Sequence, residues 1–218
     1  AIFHMILPVL RLPFKMEIDY NEGWNAVFCQ KAISGEPLYV HPTDWITLNY
    51  PPASFYIVGA LGRLLGDQLL AGRLISLLSL LAIALGIALI VAKQSGSRYA
   101  SVFAGCLLLG SFGAFAPHYV GMDDPQMLGH LFSFAALFIY FLDRSILDKP
   151  RKLFFVVLLV SLGVLIKHSA VAVPLAITAD ILIRSRRKCL PWLAMGSLTV
   201  SGLAFVSFVI WGKGLFAQ

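Results

Sequence analysis

Apolar residues in this chain come in long runs with few or no charges, without the alternation of strands. Residues 68–93, 99–116, 126–142 and 190–211 each approach or exceed the ~18 residues that mark a membrane helix. Residues 53–65 form a shorter run, about 20 Å as helix, which falls short of the ~30 Å hydrocarbon core and predicts a helix lying along the interface. No ten-residue alternating segments suited to a barrel occur, so backbone polar groups inside lipid must be satisfied within helices. The fold class predicted is all-α: a polytopic transmembrane helical bundle with a long first extracytoplasmic loop containing short interfacial helices. That loop spans 14–67 within a single transmembrane domain covering 1–218.

The polar positions set the topology. Lys and Arg collect at 93–98, 143–152 and 184–188, which the positive-inside rule assigns to the cytoplasm. The polar insert at 14–49, with Asp19, Glu22, Lys31, Glu36 and Asp44, and the loop 117–125, with His118, Asp123 and Asp124, then both lie outside. Residues 153–183 are mostly apolar, interrupted by Lys167-His168-Ser169 and Pro174. Two crossings must fit there, as a short tilted hairpin or a re-entrant pair, with Lys167 and His168 at its outer apex. Residues 1–13 are too short to span and contain Pro8 and Arg11. The chain is therefore expected to be the N-terminal part of a longer protein, with the upstream part of its first helix missing.

Composition agrees with this picture. The apolar fraction is 59% and the charged fraction 13%, far too little polar surface for a soluble domain of 218 residues. The net charge of +6 resides in short loops, where it orients the spans, so nucleic acid is discounted as a partner. Cys29, Cys106 and Cys189 are too scattered for a disulfide framework or a metal site. Gly59 and Gly62 suggest close helix packing.

Three groups of chemically competent residues reach the outer face from separate parts of the sequence: Asp19 with Glu22, Asp123 with Asp124, and Lys167 with His168. A carboxylate near apolar surface has a raised pKa suited to a general base, and a cation at the same depth can neutralise a phosphate leaving group. Each group has a plainer reading. Asp19 and Glu22 fit the N-cap and capping-box positions of a loop helix, and Asp124 before Pro125 fits the cap of the next span. Lys167 and Arg73 are charges at membrane depth, functional by default, yet snorkelling to headgroups accounts for them equally. His118 and His168 lack a ligand-spaced partner and read as interfacial histidines.

Asp19-Tyr20-Asn21-Glu22-Gly23, Ser34-Gly35-Glu36-Pro37-Leu38-Tyr39, Tyr50-Pro51-Pro52, Leu65-Gly66 and Ala71-Gly72-Arg73-Leu74-Ile75-Ser76 occur in that order. Asp123-Asp124-Pro125-Gln126, then Lys167-His168-Ser169 and Pro174, follow. Together they resemble the N-terminal half of the GT-C glycosyltransferases, of the dolichyl-phosphate-mannose protein mannosyltransferase and aminoarabinose transferase type. The resemblance implies transfer of a sugar from a polyprenyl-phosphate donor to a lipid, glycan or protein acceptor, with inversion, at an outward-facing site in the bacterial inner (plasma) membrane. It makes Asp19 the catalytic base and Asp124, or failing it Asp123, the second essential acid. Arg73 and Lys167 are the candidates for the donor phosphate, with Glu22, Tyr50, His118 and His168 as further substrate contacts. Family members differ in metal use and no ligand set is visible, so no cofactor is predicted and a divalent metal stays an open alternative. His168-Ser169 departs from the Gln-Thr expected after the lysine, which leaves the sugar open. The competing function is a lipid or sugar transporter or flippase without catalysis, for which the broken segment at Lys167 is the only sign.

Overall fold

The computed structural model describes residues 2–39, 48, 50–143 and 145–212. Asp44, Asn49 and Arg144, on which parts of the sequence reading fall, lie outside the described residues. The described residues form nine α-helices and no strand, an all-α membrane bundle. In chain order these are α1 (Ile2–Arg11), α2 (Tyr20–Ser34), α3 (Ala53–Leu65), α4 (Gln68–Ser95), α5 (Arg98–Phe115), α6 (Pro125–Leu142), α7 (Pro150–Ile166), α8 (Ala172–Arg184) and α9 (Arg186–Trp211). Among the described residues α4, α5, α6 and α9 are long and apolar enough to cross a membrane, and α3 is the short apolar helix.

The helix ends follow from local chemistry. Asp67 caps α4 by accepting a hydrogen bond from the Leu70 amide at 3.0 Å, and Ser97 caps α5 through the Ala100 amide at 3.2 Å. Between α4 and α5, Gly96 takes the left-handed conformation (φ 67°) and donates its amide to the Ala92 carbonyl, so the chain reverses without a loop. The expected break after α7 falls at Lys167, whose extended backbone (φ −148°, ψ 118°) leads into a 3-10 turn, His168–Val171, before α8 begins. With 17 and 13 residues, α7 and α8 reach only about 25 and 20 Å.

The chain divides into two compact units: residues 1–34 with 54–131, and residues 35–53 with 132–218. In the first, α4 and α5 pack along their length. Ser101 donates to the Ala88 carbonyl, and Gly105 lies against the Ala84 carbonyl, where an added Cβ would sit at 3.1 Å. Gly59 of α3 presses on α2, with the Cys29 carbonyl 2.6 Å from where a Cβ would stand, which is the close packing its sequence suggested. Leu77, Leu80, Val120 and Met127 form a buried cluster there. In the second unit the core draws on Tyr140, Val156, Val157, Ile177, Ile181 and Trp192 of α6 to α9. Two side-chain hydrogen bonds tie its helices together: Tyr140 donates to Asp180 at 2.7 Å, and the Trp192 indole donates to the Thr178 hydroxyl at 2.8 Å.

Candidate active site

The first unit holds a polar clasp centred on Arg73, in the second turn of α4. Its side chain is fully buried and forms an ion pair with the equally buried Glu22 at 2.7 Å. The Nε–H donates to Glu22 Oε1 at 3.0 Å, and one Nη2–H donates to Glu22 Oε2. The other Nη2–H reaches the Met16 carbonyl at 2.8 Å, and the two Nη1–H groups reach the Arg11 and Phe14 carbonyls at 3.0 and 2.6 Å. A guanidinium has five N–H donors, and here all are taken by protein. Arg73 therefore draws the segment after α1 onto α4 and keeps no donor for the phosphate the sequence assigned to it.

Glu22 is equally committed. Oε1 also accepts the Asp123 amide at 3.2 Å and Oε2 the Ile18 amide at 2.8 Å. Burial works to raise its pKa, but the Arg73 hydrogen bonds and charge, with the two amides, outweigh it and hold Glu22 below the usual carboxylate range. Glu22 thus ties the start of α2 to the loop before α6, with both of its oxygens engaged. Arg11 completes the clasp, donating to the His118 carbonyl at 3.2 Å and to the Val120 carbonyl.

Asp123 sits against this clasp in a different state. It is 3% exposed, Asn25 donates to its backbone carbonyl at 2.6 Å, and among the described residues its Oδ2 has no hydrogen-bond partner, as is also true of Asn25 Oδ1. Burial raises its pKa well above the usual range; the charges of Glu22 and Asp124 add to this, and Arg73 opposes it. Gly72 makes room for it: a Cβ there would stand 2.0 Å from the Asp123 carboxyl carbon. The neighbouring Cys29 thiol is pushed up by burial and by the Asp123 charge, which makes it an inert packing group.

Asp19 and Asp124 occupy matching positions on two helices. Asp19 is half-buried just before α2, and its Oδ1 accepts the Asn21 amide at 2.9 Å. Asp124, 8% exposed, precedes α6, and its Oδ1 accepts the Gln126 amide at 2.7 Å. The plainer reading of both as helix caps is therefore realised, with one difference: Glu22 reaches back to the Ile18 amide where a capping box would use that of Asp19. Capping occupies one oxygen of Asp19, and the other is unengaged among the described residues.

Of the remaining residues singled out in the sequence, His118 is exposed, with its ring 4.6 Å from that of Tyr119. Lys167, Tyr50 and His168 belong to the second unit. There the half-buried Lys167 ammonium lies 4.9 Å from the centroid of the Tyr50 ring, within cation–π range, and Tyr39 donates to the Tyr50 carbonyl at 2.8 Å. His168 is exposed. Arg11, Asn25 and Gly72 were missed by the sequence reading. Asn25 was within reach of it, since Glu22, Asn25, Phe28, Cys29 and Ala32 form one helical face. Among the described residues no three His, Cys, Asp or Glu side chains gather to hold a metal.

Residues 49–211 match the dolichyl-phosphate-mannose-protein mannosyltransferase family. The chain belongs to this family. The matched segment contains Arg73, Asp123, Asp124 and Lys167 and begins after α2, so Asp19 and Glu22 enter the site through the Glu22 contacts with Arg73 and Asp123. No curated protein and no solved structure matches the chain. Family membership and the four apolar helices make it an integral membrane protein of the GT-C glycosyltransferase type.

Proposed function

We propose that this protein transfers a sugar from a polyprenyl-phosphate donor to a lipid, glycan or protein acceptor, on the extracytoplasmic side of a bacterial inner membrane, with Asp19 as general base. One contact carries the reading. The Asp123 amide on Glu22 Oε1, at 3.2 Å, joins the first turn of α2 to the start of α6, so Asp19 and Asp124 each lie within one turn of the same junction. Glu22, Arg73 and Arg11 act as positioning residues that hold this junction together.

The chemistry follows from what each group can offer. Asp19 takes the proton of the acceptor hydroxyl with its unengaged oxygen while the acceptor oxygen attacks the anomeric carbon. The bond from that carbon to the phosphate oxygen breaks, the electron pair leaves with the polyprenyl phosphate, and the anomeric centre inverts. Asp124 supplies negative charge opposite the positive charge that develops on the sugar ring. Within the first unit His118 offers an exposed imidazole to the sugar; within the second, the Lys167 ammonium beside the Tyr50 ring is a cation suited to a phosphate, and His168 is exposed. The donor is a lipid, so a site at the bilayer boundary lets its chain stay in hydrocarbon while phosphate and sugar meet water. No cofactor is assigned, and transfer in the presence of a chelator tests that assignment.

The test is Asp19→Asn in the full-length protein, reconstituted in vesicles with a polyprenyl-phosphate sugar. Removing a general base should slow transfer by about 10²- to 10⁴-fold, with membrane insertion unchanged. Transfer at the wild-type rate would end the assignment and favour a carrier without chemistry. A cysteine at the exposed position of Gln30 on α2 should react with a membrane-impermeant maleimide added outside intact cells; protection there would place the site on the other face.

A further inference from the structure

Within the second unit, the end of α6 and the start of α7 flank an open cavity of about 660 Å³ lined by Phe138, Ile139, Leu142, Asp143, Arg151, Lys152 and Phe155. Its composition is split. One part is a wall of aromatic and aliphatic side chains from two apolar helices, and the other is a charged rim where α6 stops and α7 begins. That is the layout of a bilayer boundary, with hydrocarbon along the wall and headgroups at the rim.

The charges at the rim do not cancel. Among the described residues Asp143 is the one acid lining the cavity, and its carboxylate is shared by two ammonium groups, Lys149 at 2.8 Å and Lys152 at 2.7 Å. Arg151 is exposed and has no hydrogen bond or ion pair among the described residues. A guanidinium offers a planar fork of N–H donors that suits the oxygens of a phosphate, and Arg151 contributes it to a rim whose only carboxylate is already saturated.

We propose that this cavity is a binding site for an anionic phospholipid, its phosphate on Arg151 and Lys152 and one acyl chain along Phe138, Leu142 and Phe155. The occupant follows from the pairing of charge with apolar wall. A free phosphate would leave the wall facing water, and a zwitterionic lipid would bring a cation of its own to a rim that already carries excess positive charge. Basic pockets between membrane helices at the headgroup level take lipids in this way. The site is distinct from the Arg73 clasp and from Lys167, and its occupancy is independent of whether the protein transfers a sugar.

The experiment is native mass spectrometry of the full-length protein in detergent, titrated in parallel with phosphatidylglycerol and with phosphatidylcholine of the same chains. Wild type should retain phosphatidylglycerol preferentially, and Arg151→Gln should lower that retention by about fivefold, the effect of one basic residue facing an anionic headgroup, with phosphatidylcholine unchanged. The matched control is Arg98→Gln, an exposed arginine in the first turn of α5 that does not line the cavity and should have little effect. Equal losses for the two variants would mean diffuse attraction to basic loops and would overturn the proposal. Equal retention of the two lipids by wild type would overturn it as well.

Discussion

Asp19 with Glu22, and Asp123 with Asp124, are two acid pairs built on one local plan and left in different electrostatic states. In each, one carboxylate caps a helix through a backbone amide two residues on, Asp19 for α2 and Asp124 for α6. In each, the other is buried against the Arg73 clasp. Glu22 receives two guanidinium hydrogen bonds and two amides, whereas Asp123 has an oxygen with no partner among the described residues. Burial by itself thus decides neither the charge nor the role of an acid. The donors that accompany it decide, and they come from α4, from the segment after α1 and from the loop before α6.

The largest test separates the capping acids from the buried ones by activity. Asparagine caps a helix about as well as aspartate, so Asp19→Asn and Asp124→Asn remove charge and leave the helix starts intact. Sugar transfer should fall by about 10²- to 10⁴-fold for Asp19→Asn and by a smaller factor for Asp124→Asn, in unfolding-matched samples. A loss of transfer matched by a loss of folded protein would assign these residues to capping alone.

The next test acts on the satisfied member of the buried acids. Glu22→Ala strands the Arg73 guanidinium in a fully buried position, at a cost of about 3–5 kcal/mol. A chemical unfolding titration of the full-length protein should show it, and an unchanged midpoint would mean that the clasp holds nothing. Gly72→Ala comes next. It drives a methyl group into the Asp123 carboxyl and should destabilise by about 1–3 kcal/mol in the same assay.

The smallest effect is also the most diagnostic, because the two buried acids should respond to pH with opposite signs. Asp123 has a folded pKa raised above its unfolded value of about 4, so the native state binds the extra proton between the two values and stability falls as pH rises through that window. Glu22 has a lowered folded pKa, so its contribution is present above an unfolded value of about 4 and is lost as pH falls through the folded one. Asp123→Asn removes only the first dependence. Melting temperatures from pH 4 to 8 should show the variant gaining on wild type as pH rises, and a constant difference would mean that Asp123 does not titrate in this range.

Much of the architecture was legible in the chain. The run at 53–65 became α3, and the spans expected at 68–93, 99–116, 126–142 and 190–211 became α4, α5, α6 and α9 to within a few residues at either end. The break at Lys167 also fell where a charge interrupts the apolar run. These features are legible because helix formation in lipid is enforced by backbone hydrogen bonding and read directly from local composition. Helix α2 was harder. Its buried face includes Glu22 and Asn25, so hydrophobic periodicity understates it, and the N-cap at Asp19 was the main local sign.

Sequence alone determined that this is a helical membrane protein, where its spans begin and end, and which acids stand before α2 and α6, because each depends on residues close together in the chain. Only the tertiary structure decided which polar residues are already spent on one another. Arg73 looked like a phosphate ligand until its five donors were followed to Glu22 and to three carbonyls between Arg11 and Met16, and Asp123, the second choice after Asp124, was set apart by an oxygen that has no partner among the described residues. The physical reason is that a charge's availability depends on its dielectric surroundings and its hydrogen-bond partners, and here those partners lie dozens of residues away in sequence.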